Sequence, residues 1–192
     1  MNAQRFVIAS DLHGSPERTA FVCERVRELK PDSLILLGDI LYHGPRNPLP
    51  LGYKPLDTVE LLAALDIPII AVRGNCDAEV DLVVLPFPVQ ENAWILVDDL
   101  RIFACHGHNM PLDPPYPHIS QGTVVLRGHT HIPVAHSAGG VHVWNPGSIS
   151  LPKQGYPPSW ACYERGEFRV MDMQGKVFLS HKAGKGSSRA HP

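Results

Sequence analysis

The sequence predicts an α/β protein with a parallel first half and a mostly antiparallel second half, and three observations lead there. Up to about residue 85, short β-rich apolar runs alternate with helical patterns, as in a parallel sheet flanked by helices. From residue 94 onward, closely spaced strand patterns are joined by short turns, as in hairpins and meanders. The chain has 192 residues, 44% of them hydrophobic, enough for one domain with a full core.

Each element has a local reason. RFVIAS (5 to 10) is an uninterrupted apolar run and reads as a buried strand. SPERTAFVCERVRELK follows, with Ser15 as N-cap, Pro16 at the first helical position, and Val22, Val26 and Leu29 on one face. The βα pattern returns with SLILL (33 to 37) and LDTVELLAALD (56 to 66), then with IPIIAV (67 to 72) and a short helix around 78 to 85. WILV and LRIFAC (94 to 105) form a hairpin around Asp98 and Asp99. TVVL (123 to 126), IPVAH (132 to 136) and VHVW (141 to 144) are strands, the last two linked by Gly139 and Gly140. SWACYE, FRVMDM and VFLSH close the domain, separated by ERGE and MQGK turns. The expected domain covers 1–182, and 183–192, which has no apolar pattern, is expected to be a disordered tail.

Composition excludes several classes of function. Seventeen Lys and Arg against nineteen Asp and Glu give a net charge of -2, with no basic stripe for an extended nucleic-acid surface. No apolar stretch approaches the ~20 residues of a membrane span, and MNAQRFVIAS carries no leader pattern. The expected location is cytoplasmic. The four cysteines lack CxxC spacing and read as free thiols. Nineteen prolines are about twice the ~5% of an average protein, and they imply long, stiff loops.

In open α/β sheets, ligands gather at the carboxyl ends of the strands. RFVIAS is followed by Asp11-Leu12-His13, SLILL by Gly38-Asp39, and IPIIAV by Arg73-Gly74-Asn75-Cys76-Asp77. RIFAC is followed by His106-Gly107-His108, and TVVL by Arg127-Gly128-His129-Thr130-His131. Alone, a DxH or a GD is an ordinary turn; all five in order, each behind a strand, point to a metal site. Asp11 and His13 lie two apart, so on extended backbone they point the same way and chelate one ion, and His129 and His131 repeat that geometry. Imidazoles with carboxylates and an amide suit Mn2+, Fe2+ or Zn2+ better than an all-oxygen Mg2+ or Ca2+ site.

Taken together, these residues resemble the calcineurin-like metallophosphoesterases, whose ordered signature is DxH, GD, GN, a later histidine motif and GHxH. Over roughly residues 5 to 180 the chain is similar to the small bacterial YfcE-type phosphodiesterases, through GDILYHGPRN (38 to 47), AVRGNCDAEVD (71 to 81) and NPGSIS (145 to 150). The resemblance implies a metallophosphoesterase-type β-sandwich of two mixed sheets flanked by helices. It also implies two divalent ions, Mn2+ first, with Fe, Zn or Ni as alternatives. Asp11, His13, Asp39 and His131 would hold one, and Asp39 would bridge to a second held by Asn75, His106 and His129. Activity would be hydrolysis of a small-molecule phosphodiester through attack of a metal-bridging hydroxide, with Asp39, Asn75, Cys76 and His108 as the catalytic set.

One departure stands out. Many relatives place a histidine directly after the GN asparagine, as transition-state stabiliser and proton donor; here the position is Cys76. A thiol, with a pKa near 8.5, is a poor substitute for imidazole. His43 and His108 are the alternative donors, His43 set against a solvated loop histidine and His108 against a role orienting a ligand through a hydrogen bond. In the proline-rich stretch YHGPRNPLPLGYKP, Arg46 and Asn47 are substrate-binding candidates, because a guanidinium can grip a phosphoryl oxygen bidentately. Two other readings remain open: a phosphomonoesterase, and a protein-binding scaffold of the same fold such as the retromer sorting subunit. Self-association is a further expectation, from the apolar and proline-rich loops.

Overall fold

β1 (Arg5–Ala9) alternates, with Phe6 and Ile8 on one side and Val7 and Ala9 on the other, and all four are buried. A strand covered on both faces belongs inside a layered sheet. In the computed structural model, which describes residues 4–183, α1 (Pro16–Leu29) connects β1 to β2 (Ser33–Leu36), and α2 (Pro55–Ala63) connects β2 to β3 (Ile69–Val72). α3 (Glu79–Val84) leads to a two-residue strand, β4 (Val89–Gln90), too short for sequence periodicity to reveal. β1 to β4 pair in parallel. Ser15 caps α1 as expected but without a side-chain hydrogen bond, while Pro16 takes the first turn.

The chain then builds a second sheet from β5 (Asn92–Val97), β6 (Leu100–Cys105), β7 (Val124–Arg127), β8 (Val134–Ala138) and β9 (Val141–Asn145), in the order β5-β6-β7-β9-β8. It returns to the first sheet through β10 (Ser159–Glu164), β11 (Glu167–Asp172) and β12 (Val177–Lys182), giving the order β12-β11-β10-β1-β2-β3-β4. Both sheets are mixed. The antiparallel expectation holds for β5–β6, β8–β9 and the late strands, but β6–β7 and β7–β9 are parallel. Residues 106–123 make the crossover between β6 and β7 without a helix, so no helical pattern announced it. β3 and β8 each start two residues later than the sequence suggested, after Pro68 and Pro133, which have no N–H for a ladder.

The core lies in two layers. Phe6, Ile8, Ile35 and Leu37 face Ile102, Leu126 and Trp144 between the sheets. On the other face, Val7, Leu34 and Leu36 pack on Val22 and Val26 of α1 and Leu62 of α2. α1 and α2 thus cover the outer face of the first sheet. Tyr116 and Ile119 of the 106–123 crossover pack on Val125 and Val143 of the second sheet, and Arg127, 5% exposed, ties that crossover down by donating to the carbonyls of Pro111 and Leu112.

Where edge strands β8 and β12 approach, a polar chain joins the sheets. Trp144 Nε1–H donates to His181 Nδ1 at 2.9 Å, so the His181 proton sits on Nε2 and is given to Ser137 Oγ at 3.0 Å. The Ser137 hydroxyl in turn donates to His142 Nδ1 at 2.9 Å. Ala183, the first residue of the expected tail, is buried and donates its N–H to Gly166; residues 184–192 lie outside the described residues. Among the described residues no helix is long and apolar enough to cross a membrane.

Candidate metal centre

The loops after β1, β2, β3, β6 and β7 meet at one edge of the sandwich, but not with the backbone the spacing suggested. Asp11 (φ 57), His13 (φ 49), Asp39 (φ 52), His129 (φ 67) and His131 (φ 60) are all left-handed rather than extended. Each such non-glycine residue costs roughly 1–2 kcal/mol, so the surroundings must impose it. They do so by lacing loops together: Asp11 N–H donates to Gly38 O (3.1 Å), His13 N–H to Asp39 O (2.9 Å) and Gly14 N–H to Ile40 O (2.8 Å). Glycine is obligatory at two close approaches, because a Cβ on Gly74 would collide with the Asp39 carboxylate and one on Gly128 with the Ser10 hydroxyl.

Asp11, His13, Asp39 and His131 are buried, and one ligand atom from each lies within 4.8 Å of the others. His13 Nδ1–H donates to Tyr42 O at 2.8 Å and His131 Nδ1–H to Leu151 O at 2.5 Å. A carbonyl can only accept, so both imidazoles turn a bare Nε2 inward. Those two Nε2 atoms are 3.3 Å apart, and Asp11 Oδ1, 3.1 Å from that of His131, has no hydrogen-bond partner. Lone pairs converging without protons between them fit a cation.

A second group adjoins the first. His106 Nδ1–H is held by Leu37 O at 2.6 Å, and its Nε2 lies 3.1 Å from Asn75 Oδ1 and 3.4 Å from Asp39 Oδ1. The His129 ring is edge-on to His106 at 5.1 Å. Asp39 stands between the groups, with Oδ2 3.8 Å from His13 Nε2, and the Cys76 N–H donates to its Oδ1 at 2.8 Å. The seven residues expected as ligands are thus brought together.

The electrostatics follow from this packing. Burial opposes ionisation of Asp39 and Asp11, yet the neighbouring imidazoles hold both carboxyls below the ordinary range. His106 resists burial through its contact with Asp39 and is raised to about 9. Burial and the positive His106 lower His129 to about 4. Burial and the Asp39 carboxylate push the Cys76 thiol up to about 12, so it stays protonated at neutral pH.

The remaining candidates divide. Over the metal groups opens a cavity of about 930 Å3, lined by Arg46, Asn47 and Cys76 among others. His43 lies outside its wall, packed between the rings of Tyr42 and Tyr53. His108 also lies outside it and does not donate the orienting hydrogen bond: its buried Nδ1 has no partner, and it meets His106 and His129 only ring to ring. Arg73 is a structural ion-pair partner, 2.8 Å from Glu79.

Sequence reasoning gave Asp77 no role. Its buried carboxylate accepts the N–H groups of Asp39 (2.9 Å), Ile40 (2.7 Å) and Gly74 (2.7 Å), clamping the GD loop to the GN loop. Its place in RGNCD was the available signal. Ser148 and Ser150 likewise donate to the carbonyls of Asp11 and Leu12, and Asn145 to that of Gly128, so NPGSIS supports the ligand loops from behind.

The profile of the calcineurin-like phosphoesterase superfamily domain matches residues 5–167. The chain belongs to that superfamily. Among curated proteins, this calcineurin-like chain is 39% identical to phosphodiesterase YfcE of Escherichia coli strain K12 over 181 residues, 93% of this chain and 97% of the relative. The solved structure of YfcE, a phosphoesterase from E. coli, superposes with a TM-score of 0.88 at 38% identity, over 94% of this chain and 100% of that one. Vacuolar protein sorting 29 from Cryptosporidium parvum shares the fold alone, at a TM-score of 0.60 and 17% identity over 95% and 100% of the chains.

Proposed function

We propose that the protein is a metal-dependent phosphodiesterase whose centre holds two divalent ions, Mn2+ foremost. One observation supports this above the rest: Asp39 turns one carboxylate oxygen toward the His13 group and the other toward His106, the arrangement of a shared ligand. Asp11, His13 and His131 would complete one side of it, Asn75, His106 and His129 the other. Such ions supply Lewis acidity, a nucleophile generated from water at neutral pH, and charge for the attacking and leaving oxygens. The chain itself fixes the imidazole tautomers through Tyr42, Leu37 and Leu151, buries Asp11 away from water, and sets Arg46 and Asn47 in the wall of the cavity where substrate would lie.

Cys76 favours a diester over a monoester. A monoester carries about -1.5 to -2 charge at neutral pH, and a neutral thiol beside Asn75 adds no positive charge to meet the second negative one. A diester needs less. The similarity to a phosphodiesterase at 39% identity agrees with this preference. The centre also differs from what a pure scaffold requires, since all seven expected ligand residues are present and His13, His106 and His131 are each held through Nδ1 by a backbone carbonyl.

The test is hydrolysis of bis(p-nitrophenyl) phosphate and of p-nitrophenyl phosphate after chelation and readdition of Mn2+, with the bound metal counted. Turnover of the diester alone, restored only by metal, is expected, and Cys76→His is expected to raise monoester turnover. Two ions bound with no diester turnover would sink the proposal.

A further inference from the structure

The cavity above the ligands, about 930 Å3, is in the size range of pockets that enclose most of a drug-sized molecule, and a scissile phosphate needs only its floor. Three cations line the walls: Arg46, Arg73 and Lys153. Arg73 is engaged by Glu79 and Glu91 and donates Nε–H to Asp77 O. The side chains of Arg46 and Lys153 have no ion pair or hydrogen bond among the described residues.

Their backbones, by contrast, are fastened to the site. Lys153 N–H donates to His131 O at 3.3 Å and its carbonyl accepts Tyr156 N–H at 3.2 Å. Arg46 sits between Pro45 and Pro48 in a turn closed by Asn47 N–H to Gly44 O and by Asn47 Nδ2 to His43 O. The lining carboxylates, Asp39 and Asp77, are buried and committed, one to the imidazoles and the other to three backbone amides. The uncommitted charge on the walls is therefore positive only, and it comes from two separate loops.

We infer that Lys153 and Arg46 bind a second phosphate of the substrate, so that the preferred diester also carries a phosphomonoester group. A group with a charge near -2 suits two cations, the guanidinium as a two-pronged donor and the ammonium as a point charge. The inference takes its scissile diester from the proposed function, while the anion site itself stands on two uncommitted cations that line one cavity.

The experiment compares two p-nitrophenyl esters of thymidine 5′-phosphate, one with a free 3′-hydroxyl and one with a 3′-phosphate, so that the scissile bond and leaving group are identical. The Mn2+-loaded protein should show about tenfold higher kcat/KM for the 3′-phosphorylated ester, mostly through KM and less at high salt. Lys153→Ala and Arg46→Ala should each narrow that ratio, the double variant should bring it near one, and Lys153→Arg should keep most of it. A wild-type ratio near one, or one the double variant leaves intact, overturns the inference. Binding gives a readout free of turnover: adenosine 3′,5′-bisphosphate should bind more tightly than adenosine 5′-monophosphate, and the double variant should lose the difference. If no ester is hydrolysed but this difference holds, the anion site stands and the diesterase proposal falls. If esters are hydrolysed without preference and the two nucleotides bind alike, the reverse is true.

Discussion

At the strand exits His13, His106 and His131 give Nδ1–H to backbone carbonyls and aim Nε2 at carboxylates, that of His13 and His131 without a proton, whereas at the edge of the sandwich His181 and His142 meet Trp144 and Ser137 donor for acceptor. The first cluster has more lone pairs than protons and fits a metal cation. The second is satisfied as it stands. Histidine count does not separate them; what does is whether a carboxylate faces the ring and what holds its other nitrogen.

The comparison breaks hardest at the ligands. Asp39→Asn or His106→Ala should cut diester turnover by more than the 10- to 100-fold typical of groups that merely support a ligand, and bound metal, counted by mass spectrometry, should fall with it. His142→Ala should leave both unchanged.

Asp77→Ala comes next. It strips a buried acceptor from three N–H groups, and at about 1–3 kcal/mol for each buried polar group left unpaired the loss should be about 3 kcal/mol or more, read from denaturant unfolding. Metal affinity should drop 10- to 100-fold, the effect of loosening support beneath a ligand. Unchanged affinity in a folded Asp77→Ala protein would remove Asp77 from the site.

In the metal-free protein the two clusters should answer pH with opposite sign. Burial lowers His142 and His181, the latter helped by the charges of His142 and His136. The unfolded chain, with histidines near 6.5, then binds more protons, and their contribution is present above pH 6.5 and lost as pH falls through the lowered values. His106 is raised to about 9, so its contribution is full below pH 6.5 and lost as pH rises through 9. Melting curves of His181→Gln should flatten the acid limb, and those of His106→Gln the alkaline limb. Smallest of all, Ser137→Ala should cost about 1 kcal/mol of stability with metal binding untouched.

Much of the centre was legible because its residue types are rare behind strands: order and spacing marked the five strand exits, and the resemblance to the calcineurin-like metallophosphoesterases singled out Asp11, His13, Asp39, Asn75, His106, His129 and His131 among their residues. The geometry that unites them was not. Left-handed backbone at five of them is imposed by loops distant in sequence, such as Gly38 against Asp11, and no local pattern encodes that pressure. Asp77 was overlooked for the same reason, since its partners lie in a loop 37 and 38 residues away as well as in its own. The parallel centre of the second sheet was hidden because its crossover has no helix, and His43 could not be kept off the cavity wall without knowing that Tyr42 and Tyr53 would enclose it.

The left-handed ligands also bear on how this protein would respond to engineering. His129 is held at φ 67, a conformation that asparagine and glycine accept more readily than histidine. His129→Asn should therefore raise the melting temperature of the metal-free chain while weakening its hold on metal. A campaign that ranks variants by heat resistance alone would collect such substitutions first and discard the reactive centre while recording improvement. Screening in the presence of excess Mn2+ reverses the ranking, because an ion that binds only the folded state rewards the residues that keep it.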